Sequence, residues 1–171
     1  KLLLDVGEQG AGKDMEKGYE AANKHKQNVF DLMRRVYGNS VDHMFVCVGA
    51  GGGSGSGSAL VLIETAKKYM KYIGHDDPEK RVGVVMSLPT RGESNSPQVS
   101  ANAHKVLETV GEHAEEGLIS PLLIIDNSKI ERMYKGLTVK QFWPTVNNTV
   151  SGLFHVFNIL TNNASPYTSF D

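Results

Sequence analysis

The sequence has few of the features that tie a chain to the cell exterior, a membrane or a polyanion. One cysteine occurs in 171 residues, so no disulfide can form within the chain. That residue, Cys47, lies inside the apolar run Met44-Phe45-Val46-Cys47-Val48, where it is expected to be a small buried hydrophobe in a reducing, cytoplasmic setting. No apolar run approaches the ~18 residues a transmembrane helix needs, and no charged, apolar and small-residue leader opens the chain. Neither a membrane span nor a signal peptide is expected, and no membrane partner. Charge of one sign is missing too: 18 Lys and Arg stand against 19 Asp and Glu, a net charge of −1. Without a basic block to follow a phosphodiester backbone, direct nucleic-acid binding is not expected. The six histidines, at positions 25, 43, 75, 104, 113 and 155, show no metal-ligand spacing, so no protein-held metal is expected. An initiator methionine is absent as well. The chain opens on Lys1-Leu2-Leu3-Leu4-Asp5-Val6 and reads as the interior of something larger. With 40% hydrophobic residues it has enough for one buried core, hence one domain or part of one.

Glycine is plentiful, and its densest cluster is Gly49-Ala50-Gly51-Gly52-Gly53-Ser54-Gly55-Ser56-Gly57-Ser58, directly after the apolar run at 44–48. Glycines this close together let successive backbone N–H groups turn toward one point, and the interleaved serines add hydroxyl donors. Residues 59–70 contain no Gly or Pro and read as a helix, so the loop would lie at a helix N-terminus, where unpaired amides and the macrodipole favour an anion. A flexible Gly/Ser linker is the alternative. It fits poorly, because a linker need not be bounded by a buried strand and an amphipathic helix.

Read in order, residues 2–6 predict a short strand, and Gly7-Glu8-Gln9-Gly10-Ala11-Gly12 a second glycine turn. A helix follows from about Asp14 to Tyr37, with Met15, Tyr19, Ala22, Val29, Phe30 and Met33 on one face. Next come a strand at 43–49, the glycine loop and a helix at 58–73. Val82 to Leu88 is uniformly apolar, as a parallel strand covered on both faces should be. A helix from Pro97 to about Glu116 carries Val99, Ala103, Val106, Leu107, Val110 and Ala114, with the proline tolerated in its first turn. A fourth strand is predicted at 118–125, a short helix at about 129–135 and a long one from near 140 to 162. Strands alternating with helices mean an α/β fold, a Rossmann-like three-layer arrangement of parallel sheet flanked by helices that ends in a long helix.

Two glycine turns compete for phosphate. Residues Gly7 to Lys13 follow the P-loop pattern G-x-x-x-x-G-K, but Asp14 stands where a Mg²⁺-ligating hydroxyl is required and would set a carboxylate against the phosphates. The dinucleotide pattern G-x-G-x-x-G fails in its last place in every register through the main loop, which meets Ser54, Ser56, Ser58 or Leu60. The acidic residue expected ~20 positions on is also missing.

What remains, Gly51-Gly52-Gly53-Ser54-Gly55-Ser56-Gly57, resembles the signature loop G-G-G-[TS]-G-[TS]-G of the tubulin/FtsZ superfamily. Further motifs are similar. Gly10-Ala11-Gly12, with Met15-Glu16 and Gly18 behind it, resembles the family's loop near the γ-phosphate. Glu93 stands where the family has a ribose-contacting Glu, and Asn127 where it has a ribose-contacting Asn. Trp143 and Asn147 match its aromatic-x-x-x-[ND] pair, ring on guanine and polar group on the base edge. Ser169-Phe170-Asp171 resembles the start of the loop that completes catalysis on a neighbouring subunit's nucleotide, which makes Asp171 the candidate catalytic residue. The wording leans toward the plasmid and phage TubZ-like branch. The resemblance implies an incomplete GTPase domain over 1–171, with its first strands and first glycine loop before it and a second domain after it. It also implies GTP or GDP with Mg²⁺ held largely by phosphates and water, head-to-tail self-assembly, and an adaptor joining the filament to DNA cargo.

Plainer readings stand beside these. Trp143 is also an aromatic at core spacing, and Pro144 disfavours the α region at Trp143, so the tryptophan either belongs to the long helix or precedes it. Glu93 also reads as a solvated loop charge, and Asp171 as tail. The expected function is a polymerising GTPase; the alternatives are a nucleotide-gated scaffold without turnover, or a P-loop NTPase using Gly7 to Lys13.

Overall fold

A computed structural model describes residues 10–162. The predicted strand at 2–6, the start of the Gly7 turn and Asp171 lie outside the described residues. The elements are α1 (Met15–Tyr37), β1 (Met44–Gly49), α2 (Gly53–Tyr72), β2 (Val82–Leu88), α3 (Pro97–Glu115), β3 (Leu122–Asp126), α4 (Asn127–Met133) and α5 (Val139–Asn162), with 3₁₀ turns at Pro78–Lys80 and Glu93–Asn95. The described strands form one parallel sheet in the order β1-β2-β3, so the fold is α/β with helical crossovers. The chain divides into two compact units between Asp126 and Asn127.

In the first unit, registered neighbours Val46 with Val84 and Val48 with Met86 put one face of the sheet into a core shared with Ile63, Ala66 and Met70 of α2 and Val106 and Val110 of α3. Ile63, Met70, Met86 and Val84 are fully buried, each worth roughly 1.5–3 kcal/mol of apolar burial. β2 is buried over its first five residues, as its continuous apolar run requires. Strand β1 instead alternates, and this corrects the expectation for Cys47, which is exposed; such shelter as it has pushes the thiol pKa up.

Helices α1 and α2 run side by side in the same direction. Near their beginnings Gly18 meets Gly53, and further along, at Phe30 of α1 and Tyr69 of α2, the two rings pack edge-on at 6.1 Å between centroids. The Tyr69 hydroxyl closes the far end by donating to the Gly38 carbonyl.

Two boundaries differ from expectation for local reasons. The strand predicted at 118–125 enters the ladder only at Leu122. Ser120 N–H and the Pro121 carbonyl already bond β2, but the proline lacks an N–H and cannot continue the pattern. Helix α2 starts at Gly53, five residues before the predicted position, because the glycine and serine run is itself helical.

In the second unit, α5 includes both Trp143 and Pro144, which decides that the tryptophan lies within the helix. The Gln141 side chain reaches back to cap the helix start: its Oε1 accepts from the Thr138 N–H at 3.2 Å and hydroxyl at 3.0 Å, and the Phe142 N–H donates to the Thr138 carbonyl at 2.9 Å. The cap anchors the first turn, so Pro144 costs one bond in a helix already started. Among the described residues no helix is long and apolar enough to cross a membrane.

Candidate functional site

Strand β1 delivers the chain to the mouth of α2 through three residues. Ala50 N–H stays in the sheet, donating to the Ser87 carbonyl at 2.8 Å. Gly51 turns the chain with φ +108°, and a Cβ there would lie 2.8 Å from Val99 Cγ1, so both conformation and space demand glycine. Its N–H donates to Ser56 Oγ at 2.9 Å. Gly52 is the N-cap and supplies no side chain.

The first helical bond runs from Ser56 N–H to the Gly52 carbonyl at 3.1 Å, so the N–H groups of Gly53, Ser54 and Gly55 have no acceptor within the helix. Gly52 and Ser54 are exposed at this mouth. The first turn of α2 carries no acidic residue. A helix of twenty residues thus begins with its positive end and three amides that lack an acceptor within the helix, an arrangement suited to an anion.

The remaining glycines also set how the helix packs. An added Cβ at Gly53 would lie 2.5 Å from Asp14 N, at Gly55 2.4 Å from the Gly49 carbonyl oxygen, and at Gly57 2.2 Å from the Met15 carbonyl oxygen. These residues let α2 approach α1 and its own strand at backbone distance. Ser56, 4% exposed, braces the turn with its hydroxyl. Residues 53–57 are thus the first turns of a helix rather than a loop: the amides of 53–55 lack an acceptor within it, while Gly51, Ser56 and Gly57 fix how it packs.

Beside this mouth lies the start of α1. Gly12 and Lys13 both have left-handed φ, +58° and +68°, and Asp14 N–H closes the turn on the Ala11 carbonyl at 2.9 Å. The Asp14 carboxylate caps its own helix, accepting from Glu16 N–H at 2.9 Å and Lys17 N–H at 3.3 Å. Its Oδ1 is thereby engaged by the first turn of its own helix, and Lys13 Nζ reaches Ser96 Oγ at 3.4 Å. Gly10 and Gly12 have open space where a Cβ would stand.

Glu93 is exposed, and its Oε2 accepts from the Thr90 N–H and hydroxyl, both at 2.8 Å. The side chain thereby shapes the 3₁₀ turn. Asn127 begins α4 directly after β3; it is 5% exposed, and its Oδ1 is buried without a hydrogen-bond partner. A buried acceptor left unpaired is costly, and a donor from a ligand would relieve it. On α5, Trp143 is 41% exposed and packs edge-on against Phe142 at 5.1 Å; Asn147, one turn on, is exposed on the same helix face.

One residue of this site escaped the sequence reading. Asn102 of α3 is 3% exposed, and its Nδ2 donates to the Lys13 carbonyl at 2.8 Å and the Gly51 carbonyl at 3.0 Å. A signal was available: a polar residue stands on the stripe Val99, Ala103, Val106 and Val110 that the helix buries.

Compared with known proteins, residues 4–135 match the sequence model of the Tubulin/FtsZ family, GTPase domain. The chain is 24% identical over 177 residues to a tubulin-like protein TubZ of Bacillus cereus, covering 100% of this chain and 38% of the relative. Among solved structures it is similar to CetZ2 from Haloferax volcanii, described as a GTPγS-bound protofilament, with a TM-score of 0.73, 24% identity, and 92% of this chain on 42% of that one. CetZ1 of the same organism, described as a GDP-bound monomer, gives a TM-score of 0.68 at 27% identity, with 89% of this chain on 41% of that one. The chain spans about two fifths of the length of these relatives.

Proposed function

Because the chain belongs to the Tubulin/FtsZ family through its GTPase domain, we propose that the protein containing it binds and hydrolyses GTP as a subunit of a head-to-tail filament. The observation that carries this reading is the mouth of α2, with three backbone donors unspent and the left-handed Gly12 turn beside it. Donors of this kind are preorganised and act by electrostatics, which is most of what phosphoryl transfer asks of a protein. The amides of 53–55 take the phosphate charge, and the Gly10-Ala11-Gly12 loop meets the γ-phosphate. Mg²⁺ would neutralise charge between the phosphates, held mainly by phosphate and water oxygens; Asp14 is spent on its own helix.

The rest of the nucleotide falls to the other candidates. The unpaired Oδ1 of Asn127 supports a ribose hydroxyl as its donor, with Glu93 as second ribose contact. Trp143 stacks on the base, and Asn147, both donor and acceptor, reads guanine. From Asn147 to the end of α5 at Asn162 the helix rises about 22 Å. Asp171 follows it, and in this proposal acts on the GTP of the next subunit, coupling hydrolysis to assembly. Similarity to TubZ supports plasmid or phage segregation in the cytoplasm, through an adaptor to DNA cargo, as the cellular role.

The test is GTP turnover by the full-length protein as its concentration is raised. A steep rise above a threshold concentration is expected. Zero turnover at every concentration, with GTP bound, would replace the GTPase by a nucleotide-gated scaffold, and turnover of ATP in preference to GTP would remove the guanine assignment.

A further inference from the structure

The two glycine turns are 38 residues apart in sequence, from Lys13 to Gly51. Beside the backbone packing of Gly53 on Asp14, one carboxamide hydrogen-bonds to both. Asn102 Nδ2 donates both its protons outward, one to the Lys13 carbonyl at 2.8 Å and one to the Gly51 carbonyl at 3.0 Å. Its own Oδ1 accepts from Gln98 Nε2 at 3.1 Å, one turn earlier on α3, which fixes the amide so that the NH₂ faces the two carbonyls. Both acceptors belong to residues with left-handed φ, +68° at Lys13 and +108° at Gly51, the positions that give each loop its shape.

In a trans peptide the C=O and the following N–H point in opposite directions. Holding the Gly51 carbonyl toward α3 therefore turns the Gly52 N–H away from α3, toward the mouth of α2. Holding the Lys13 carbonyl keeps the Asp14 N–H on the Ala11 carbonyl, which closes the Gly10-Ala11-Gly12 turn. Resting on the functional reading above, we propose that Asn102 is the positioning residue that makes the two loops move as one, so that a γ-phosphate met by the Gly12 loop is registered at the start of α2. Without it the α2 mouth still binds phosphate, but the protein no longer distinguishes the triphosphate from the diphosphate.

The experiment uses the full-length protein with Asn102→Leu, of similar shape and without donors, and Gln98→Leu, an exposed position whose change frees the amide to turn without disturbing the fold. Two measurements are made on each: the ratio of GTP to GDP affinity, and amide hydrogen exchange of residues 10–13 and 51–53 without nucleotide. Loss of two hydrogen bonds predicts that Asn102→Leu lowers the GTP:GDP ratio about tenfold, chiefly by weakening GTP, and that Gln98→Leu lowers it by a smaller factor. Exchange should rise in both loops together. A residue that only supported the fold would weaken GTP and GDP equally and leave their ratio unchanged; that result, or faster exchange in one loop alone, overturns the proposal. If the wild-type protein binds neither nucleotide, the functional reading fails by itself, and joint exchange in the two loops still decides whether Asn102 ties them.

Discussion

Helices α1 and α2 begin side by side, each after a glycine turn, yet their N-termini are finished in opposite ways. At α1 the orphan amides of Glu16 and Lys17 are taken by the Asp14 carboxylate, so the positive end of the helix is neutralised from within. At α2 the N-cap is Gly52, with no side chain and no acid in the first turn, and the amides of 53–55 stay available. The pair shows why a glycine-rich turn before a helix is not in itself an anion site. What decides is whether the chain supplies its own anion, as Asp14 does, or leaves the place open.

The largest effect expected from disturbing this pair comes from Gly53→Val. Its Cβ would lie 2.5 Å from Asp14 N and 2.8 Å from the Lys13 carbonyl carbon, backbone atoms that cannot step aside. The two N-termini would be forced apart, with several kcal/mol of stability lost and nucleotide binding with it. Urea unfolding of the variant and wild type measures this, and an unchanged midpoint would mean that the helices are not held at backbone distance.

A sharper change gives α2 what α1 has. Gly52 sits at φ −78° and ψ 152° with nothing within 4 Å of an added Cβ, so Gly52→Asp adopts the same conformation and caps the helix. Stability should hold or rise by a few tenths of a kcal/mol, while GTP affinity falls by about a hundredfold, the worth of roughly 3 kcal/mol of charge repulsion and donor loss. Gly52→Asn caps without charge and should lose much less. Calorimetric titration of the two separates them, and equal losses would argue against an anion at this mouth.

The converse change, Asp14→Ala, removes the cap of α1 and should cost about 1 kcal/mol of stability, read as a shift in urea midpoint at constant slope. Smallest of all is Lys13→Ala. Its charge is exposed and reaches only Ser96 Oγ at 3.4 Å, so nucleotide affinity should stay within about fivefold. Greater damage from Lys13→Ala than from Gly52→Asp would return the P-loop reading of Gly7 to Lys13.

Element types were legible from the one-dimensional pattern because apolar spacing reports burial directly. The run 82–88 was recognisable as a covered strand, and the spacing of Met15, Tyr19, Val29 and Phe30 as a helix face. The start of α2 was not legible. Glycine and serine favour turns when nothing packs on them, and in Gly53-Ser54-Gly55-Ser56-Gly57 that propensity pointed to a loop. The contact with α1 overrides it, since only residues without a Cβ allow two helices to approach with Gly57 over the Met15 carbonyl and Gly18 against Gly53. Trp143 is a similar case: Pro144 argued against helix, and the Thr138–Gln141 cap started the helix before the proline was reached.

The sequence by itself determined the α/β alternation, the position of the glycine loop at the end of β1, and the family resemblance carried by residues 51–57, because these depend on residue type and spacing along the chain. Only the tertiary structure decided which glycines meet a neighbouring helix and that Asn102 joins two turns from a third element. Both depend on atoms brought close together across large separations in sequence, such as Asn102 to Lys13 and Gly57 to Met15, a property of packing that no local pattern encodes.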